Sequence, residues 1–141
     1  MARILGIDYG TKRIGIATTD PLQIISSALD TVSPEKFFDF IADYLSEEEV
    51  EAIVVGEPKK LNNTDADIMP RIKKFVQTLT EKYPNIPIHF QDERFTSKEA
   101  QRVILASGIK KMKRRDKSLT DKVSASLILK DWMISSGKWK V

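Results

Sequence analysis

Two unbroken apolar runs, Ile4-Leu5-Gly6-Ile7 and Ala52-Ile53-Val54-Val55-Gly56, limit this chain more than any other feature. A strand with one wet face alternates apolar and polar residues. A run without alternation is buried on both faces, as the central strands of a parallel sheet are. The first run ends at Asp8 and the second at Glu57.

Around these runs the remaining elements fall into place. Gly10-Thr11-Lys12 reads as a tight turn into a second strand over 13–18, and Asp20-Pro21 leads to a third over 23–31. Three strands joined by short turns predict an antiparallel meander. Ser33-Pro34 opens a helix, with Ser at the N-cap and Pro at the first helical position. Phe37, Phe38, Ile41 and Leu45 give that helix one apolar face. A second helix carries Ile68, Ile72, Phe75, Val76 and Leu79, and Pro70 must stand in its first turn or at a kink. A last strand over 86–90 runs into Gln91-Asp92-Glu93-Arg94. Thr96-x-x-Glu99 predicts a capped third helix that stops near Gly108, and Ser118-x-x-Asp121 a capped fourth that runs to about Ser136. The order is βββαβαβαα, an α/β chain in which strands four and five arrive by crossovers and lie parallel to the first.

With 141 residues, 41% of them hydrophobic, the chain reads as one domain over 1–141. A domain of that size buries about 68% of its unfolded surface. It contains no Cys and one His, His89. Disulfides, thiolate zinc and multi-imidazole zinc are therefore excluded, and a catalytic metal would sit on oxygen donors, as Mg²⁺ or Mn²⁺ does. No apolar run nears the roughly 18 residues of a membrane span, so the expectation is a cytoplasmic protein with no membrane partner, a monomer or weak dimer.

The net charge of +3 hides an asymmetry. Residues 98–141 carry 12 basic and four acidic side chains, net +8, while residues 1–97 are net −5. The excess peaks at Lys110, Lys111, Lys113, Arg114, Arg115 and Lys117. Such a cluster suits a polyanion, because each phosphate it neutralises releases a counterion; a solvated loop without a ligand is the plainer account. Lys12, Arg13 and Arg94 add basic groups near the acidic ones and are candidates to carry a phosphate backbone.

In open α/β sheets, ligands bind beyond the carboxyl ends of the parallel strands. Here those ends carry Asp8, Glu57 and the Asp92–Glu93 pair. Carboxylates gathered at one edge repel one another unless a cation lies among them. Two divalent ions about 4 Å apart clamp a phosphodiester, one activating water and the other steadying the leaving oxygen. Each candidate has a structural alternative: a turn cap for Asp8, ion pairing with Arg94 for Asp92 and Glu93, and capping of the last helix for Asp121. Strand alternation sends Asp92 and Glu93 to opposite faces, so one of the two points at a metal. Glu57 reads as solvated and His89 as a hydrogen-bonded core imidazole.

These residues resemble the YqgF family, the small RuvC-like members of the ribonuclease H-like superfamily, over essentially the whole chain. Gly6-Ile7-Asp8-Tyr9-Gly10-Thr11-Lys12-Arg13-Ile14-Gly15-Ile16-Ala17 resembles its opening G-x-D-x-G-x-K-R-I-G-x-A block. Val54-Val55-Gly56-Glu57-Pro58, Asp92-Glu93-Arg94-Phe95-Thr96 and Asp121-x-x-Ser124-Ala125 resemble its V-V-G-x-P, D-E-R-L-T and D-x-x-A-A blocks. The resemblance implies a five-stranded mixed sheet in order 3-2-1-4-5 with helices on both faces. It implies a metal-dependent nuclease that matures the 5′ end of pre-16S ribosomal RNA or resolves Holliday junctions in recombination and repair. Carried over, Asp8, Glu93 with Asp92 beside it, and Asp121 form the acidic catalytic site, with Asp8, Glu93 and Asp121 as the metal ligands. The partner would be nucleic acid, either pre-rRNA or branched DNA. Phe95, Asn63 and Ser124 depart from the family's commoner Leu, a small residue and Ala. True junction resolvases carry a fourth carboxylate where this chain has Ser124, which keeps a non-catalytic RNA-binding assembly factor in play. Gly6-x-Asp8-x-Gly10-Thr11 also resembles the first phosphate loop of actin-like ATPases, but the chain has no second such loop.

Overall fold

A computed structural model describes residues 2–23, 25–57, 68–92 and 117–136. Five strands form one sheet: β1 (Arg3–Tyr9), β2 (Ile14–Thr19), β3 (Ser26–Val32), β4 (Val50–Glu57) and β5 (Ile88–Asp92). Three helices are described: α1 (Pro34–Glu47), α2 (Met69–Lys82) and α3 (Lys117–Ser135). The strand order is β3-β2-β1-β4-β5. The meander β1-β2-β3 is antiparallel, and β4 and β5 run parallel to β1, as the crossovers require. The two unbroken apolar runs are β1 and β4, hydrogen-bonded to each other at the centre.

Alternation sorts these strands onto two cores. Leu5, Ile7, Ile14, Ile16, Ile53 and Val55 pack against Phe37 and Ile41 of α1 and Ile72, Phe75 and Leu79 of α2. On the other face Ile4, Ala17, Ala52 and Val54 meet Ala125, Ile128, Leu129 and Met133 of α3. The residues toward α3 are smaller, and the helix comes correspondingly close. A Cβ on Gly6 would lie 2.7 Å from Leu129 Cβ and 2.8 Å from the Ala125 carbonyl oxygen.

Local chemistry explains most boundaries. Ser33 keeps the extended backbone of an N-cap and Pro34 opens α1, although the Ser33 side chain makes no capping bond. Pro70 stands in the first turn of α2, where its missing N–H costs nothing. The third strand starts at Ser26 rather than at residue 23, because Gln23 has φ 58° and closes the turn through its N–H to the Asp20 carbonyl. Arg3 ties the start of β1 to its surroundings by donating to Glu48 Oε2 at 3.0 Å and to the Thr19 carbonyl at 2.9 Å. The bond to Glu48 raises the pKa of this guanidinium above its ordinary value. The expected helix over 96–107 lies outside the described residues. No helix among those described is long and apolar enough to cross a membrane.

Candidate functional site

Asp8 is half-buried at the carboxyl end of β1. Alternation from Ile4 and Gly6 turns it toward α3. Both neighbouring strands offer glycine there. Gly15 is the paired residue of Asp8 on β2, and Gly56 follows Val55, the partner of Ile7, on β4. The carboxylate is thus flanked on each side by backbone alone.

Gly15 also brings in the second carboxylate. A Cβ at that position would collide with the Asp121 carbonyl oxygen and lie 3.0 Å from the Lys122 nitrogen. Only a residue without a side chain lets the first turns of α3 rest on β2. Asp121 therefore sits on the face that Asp8 occupies, over the residue paired with Asp8. Arg13, two residues before Gly15 and turned the same way, donates from Nε to Asp121 Oδ2 at 2.6 Å. Their side chains are 37% and 24% exposed. A guanidinium expected to meet nucleic acid is engaged with a candidate metal ligand.

Asp121 was expected to cap its own helix through Ser118. The helix already includes Lys117 and Ser118, so Ser118 is not at the N-cap, and the Asp121 carboxylate goes to Arg13 instead. One turn on, Ser124 is 1% exposed, and its hydroxyl has no hydrogen-bond partner among the described residues.

The other candidates separate. Asp92 ends β5 in register with Glu57. Since Ile88 and Val55 pack on the α1/α2 side, alternation puts both carboxylates on that side, opposite Asp8. The strand ends thus gather carboxylates at one edge but divide them between two faces. His89 is half-buried rather than enclosed in the core, and it stacks on the Trp132 indole, with centroids 5.0 Å apart. Lys12 is exposed in the Gly10 turn, and Lys117 opens α3. Glu93, Arg94, Lys110, Lys111, Lys113, Arg114 and Arg115 lie outside the described residues. Among those described, no group of three His, Cys, Asp or Glu side chains is arranged to hold a metal ion.

The oxygen donors of Asp8 and Asp121 fit a hard divalent cation in their chemistry. The contributions of Gly15 and Gly56 escaped the sequence reading. A signal existed in two glycines flanking an acid-ended strand, but it becomes visible only once the strand register is known.

Known proteins share the sequence and the fold of this chain. The family model for RuvX, described as Holliday junction resolvase, matches residues 2–135. A protein of Porphyromonas gingivalis named "Putative pre-16S rRNA nuclease" is 51% identical over 133 residues, covering 94% of this chain and 96% of that one. A protein of Phocaeicola vulgatus with the same name is 48% identical over 135 residues, covering 96% and 97%. Among solved structures, Thermus thermophilus RuvC in complex with a Holliday junction substrate superposes with a TM-score of 0.56 at 16% identity, covering 99% of each chain. At that identity the likeness speaks for the ribonuclease H-like fold. The family match and the two relatives together show that this chain belongs to the RuvX (YqgF) family.

Proposed function

We propose that the chain is a divalent-metal-dependent hydrolase of phosphodiester bonds in structured nucleic acid, processing the 5′ end of pre-16S rRNA in ribosome biogenesis. The observation that carries this reading is the placement of Asp8 and Asp121 on one face through Gly15. The names of the relatives favour RNA as the substrate. Asp8, Asp121 and Glu93 would hold one or two Mg²⁺ or Mn²⁺ ions, which when bound supply an activated water and offset the charge developing at the phosphate. Asp8, fixed on a central strand, sets the position of the scissile group more rigidly than a loop residue would. Arg13 holds Asp121 in one orientation and limits the repulsion between the two carboxylates. Gly15 keeps the first turns of α3, and with them Asp121, close to the strand that pairs with Asp8. The molecule is read as a single domain over 1–141, acting in the cytoplasm as a monomer or weak dimer.

A second reading within the same chemistry is cleavage of four-way DNA junctions, favoured by the family description. One experiment separates them: wild type and Asp8→Asn, with Mg²⁺ or Mn²⁺, act on a pre-16S leader transcript and on a four-way DNA junction. The expected result is RNA cleavage that Asp8→Asn slows by more than the 10- to 100-fold, roughly, that losing an outer-sphere partner costs. Faster cleavage of the junction would move the assignment to the second reading. Equal rates for the two proteins would reject the metal site. RNA binding by both without hydrolysis would leave an assembly factor.

A further inference from the structure

Asp8 and Tyr9 are successive residues, and alternation sends them through the sheet in opposite directions. Tyr9 emerges on the α1/α2 face, packed on Phe75 with ring centroids 4.8 Å apart. There it borders an open cleft of about 310 Å³, also lined by Phe38, Phe75, Arg71, Lys74 and Thr78. Tyr9 and Phe38 are each half-buried, and Lys82 Nζ stands over the Phe38 ring, 5.3 Å from its centroid. Arg71 and Lys74 lie one turn apart on α2 and are exposed. Among the described residues neither side chain has an ion pair or a hydrogen bond.

This combination is specific in its chemistry. Among the described residues no carboxylate lines the cleft; Glu57, two residues after Val55, the partner of Ile7, flanks Tyr9 from the neighbouring strand β4 on the same face, and Asp92 stands one strand further on. The helix that forms the basic wall carries Arg71, Lys73, Lys74 and Lys82 against Glu81 alone. An apolar peptide would leave the two cations unanswered, and a simple anion would leave the rings unused. A nucleotide uses both, because its base stacks on an aromatic face while its phosphate takes charge-assisted bonds from Arg and Lys. A larger cleft, of about 360 Å³, opens near Val50 at the amino end of β4 with Glu48 and Glu49 in its wall, and suits a polyanion poorly.

We propose that the Tyr9 cleft is a second nucleic-acid subsite. It takes an unpaired nucleotide of the substrate strand, base against Tyr9 and Phe38 and phosphate on Arg71 and Lys74. The strand then crosses the rim of the sheet at β1, so that a neighbouring phosphate lies beside Asp8. The identity of the strand rests on the nuclease reading; the binding chemistry does not.

The test is made on the intact chain without divalent metal, so that binding is measured apart from hydrolysis. A labelled eight-nucleotide oligouridine containing 5-iodouridine is titrated at several salt concentrations, with uridine monophosphate as a separate arm. The double variant Arg71→Gln/Lys74→Gln changes only exposed side chains. It should weaken binding and lower the slope of log affinity against log salt by about 0.7, the contribution of the one phosphate contact on a single strand that the two cations share. Tyr9→Leu, which keeps the contact with Phe75, should weaken binding about fivefold or more at an unchanged slope. Irradiation should crosslink the oligomer at Tyr9. An unchanged slope in the double variant, crosslinks that avoid Tyr9, or monophosphate binding as tight as the oligomer would each overturn the subsite. Failure of the nuclease reading would appear differently, as a metal-loaded wild type that binds normally and cleaves nothing.

Discussion

The two faces of the sheet meet the solvent side by side at Asp8 and Tyr9, and they are built on opposite principles. Toward α1 and α2 the space is filled with volume: Ile7, Ile14, Ile53, Phe37, Phe75 and Leu79 are all buried. Toward α3 the space is emptied. Gly6 and Gly15 let helix backbone rest on strand backbone, and Ala17, Ala52 and Ala125 add little bulk. Bringing Asp121 over the residue paired with Asp8 needs close backbones. A stacking platform needs rings. The same strand serves both because its side chains alternate.

The sharpest way to break this contrast is to add volume to the emptied face. Gly15→Val would put its first side-chain atom against the Asp121 carbonyl, a backbone group that moves only with its helix. Overpacking commonly costs about 1–3 kcal/mol, and an obstruction by backbone should cost more than about 4 kcal/mol. Denaturant unfolding measures the loss, and any folded remnant should cleave no RNA because Asp121 has been displaced. Unchanged stability would mean that α3 does not lie against β2.

The converse is to remove volume from the filled face. Leu79→Ala deletes a side chain with no solvent exposure in the larger core. It should cost about 3 kcal/mol in urea unfolding, in keeping with truncations that leave a cavity. Cleavage per folded molecule should stay near wild type, since the altered face is not the one that carries Asp8 and Asp121. A loss of activity larger than the loss of folded protein would show that the faces are coupled.

How far these faces were legible beforehand varies with the kind of information each needs. The central strands are plain in their composition, because an uninterrupted apolar run has few other homes. The order of elements settled the parallel pairing, since a crossover reverses direction twice. The division of Asp92 and Glu93 between faces followed from alternation, but which of them shares the face of Asp8 was out of reach. Whether Asp92 or its successor faces Asp8 depends on the phase of β5, which Ile88 sets by packing under α2. Asp121 was legible as a candidate, but its partner was not. Arg13 lies 108 residues away in sequence, and no local pattern announces such a bond. The ring contact of His89 was equally hidden, because Trp132 comes from a helix more than 40 residues away.

The Arg13–Asp121 pair sharpens the contrast at smaller scale, for it ties the start of α3 to β2 where little apolar area does so. Both side chains are partly exposed, which keeps the interaction near the upper end of the range for surface pairs. Arg13→Gln should lower stability by about 1 kcal/mol at low salt and by less as salt is raised. Chemical denaturation at two ionic strengths checks both statements. A loss that does not depend on salt would mean that the guanidinium acts by packing rather than by charge.

The smallest effect expected is also the one whose sign says most. Ser124 is a polar residue enclosed on the emptied face, and its hydroxyl has no partner among the described residues. Burying a hydroxyl unsatisfied costs free energy that a methyl would not, while Ser and Ala differ by one atom, so replacement leaves almost no void. Ser124→Ala should therefore stabilise the chain, by about 0.5 kcal/mol, with a matching rise in melting temperature. A fall in stability would reveal a hydrogen bond made by that hydroxyl, one turn from Asp121. The contrast between faces would then need redrawing, because the emptied side would contain a second polar anchor beside its carboxylates. Calorimetric titration with Mn²⁺ separates the possibilities further. Unchanged metal affinity in Ser124→Ala would make the hydroxyl a passenger of packing, while weakened affinity would make it an outer contributor to the site at the position where true junction resolvases place a carboxylate.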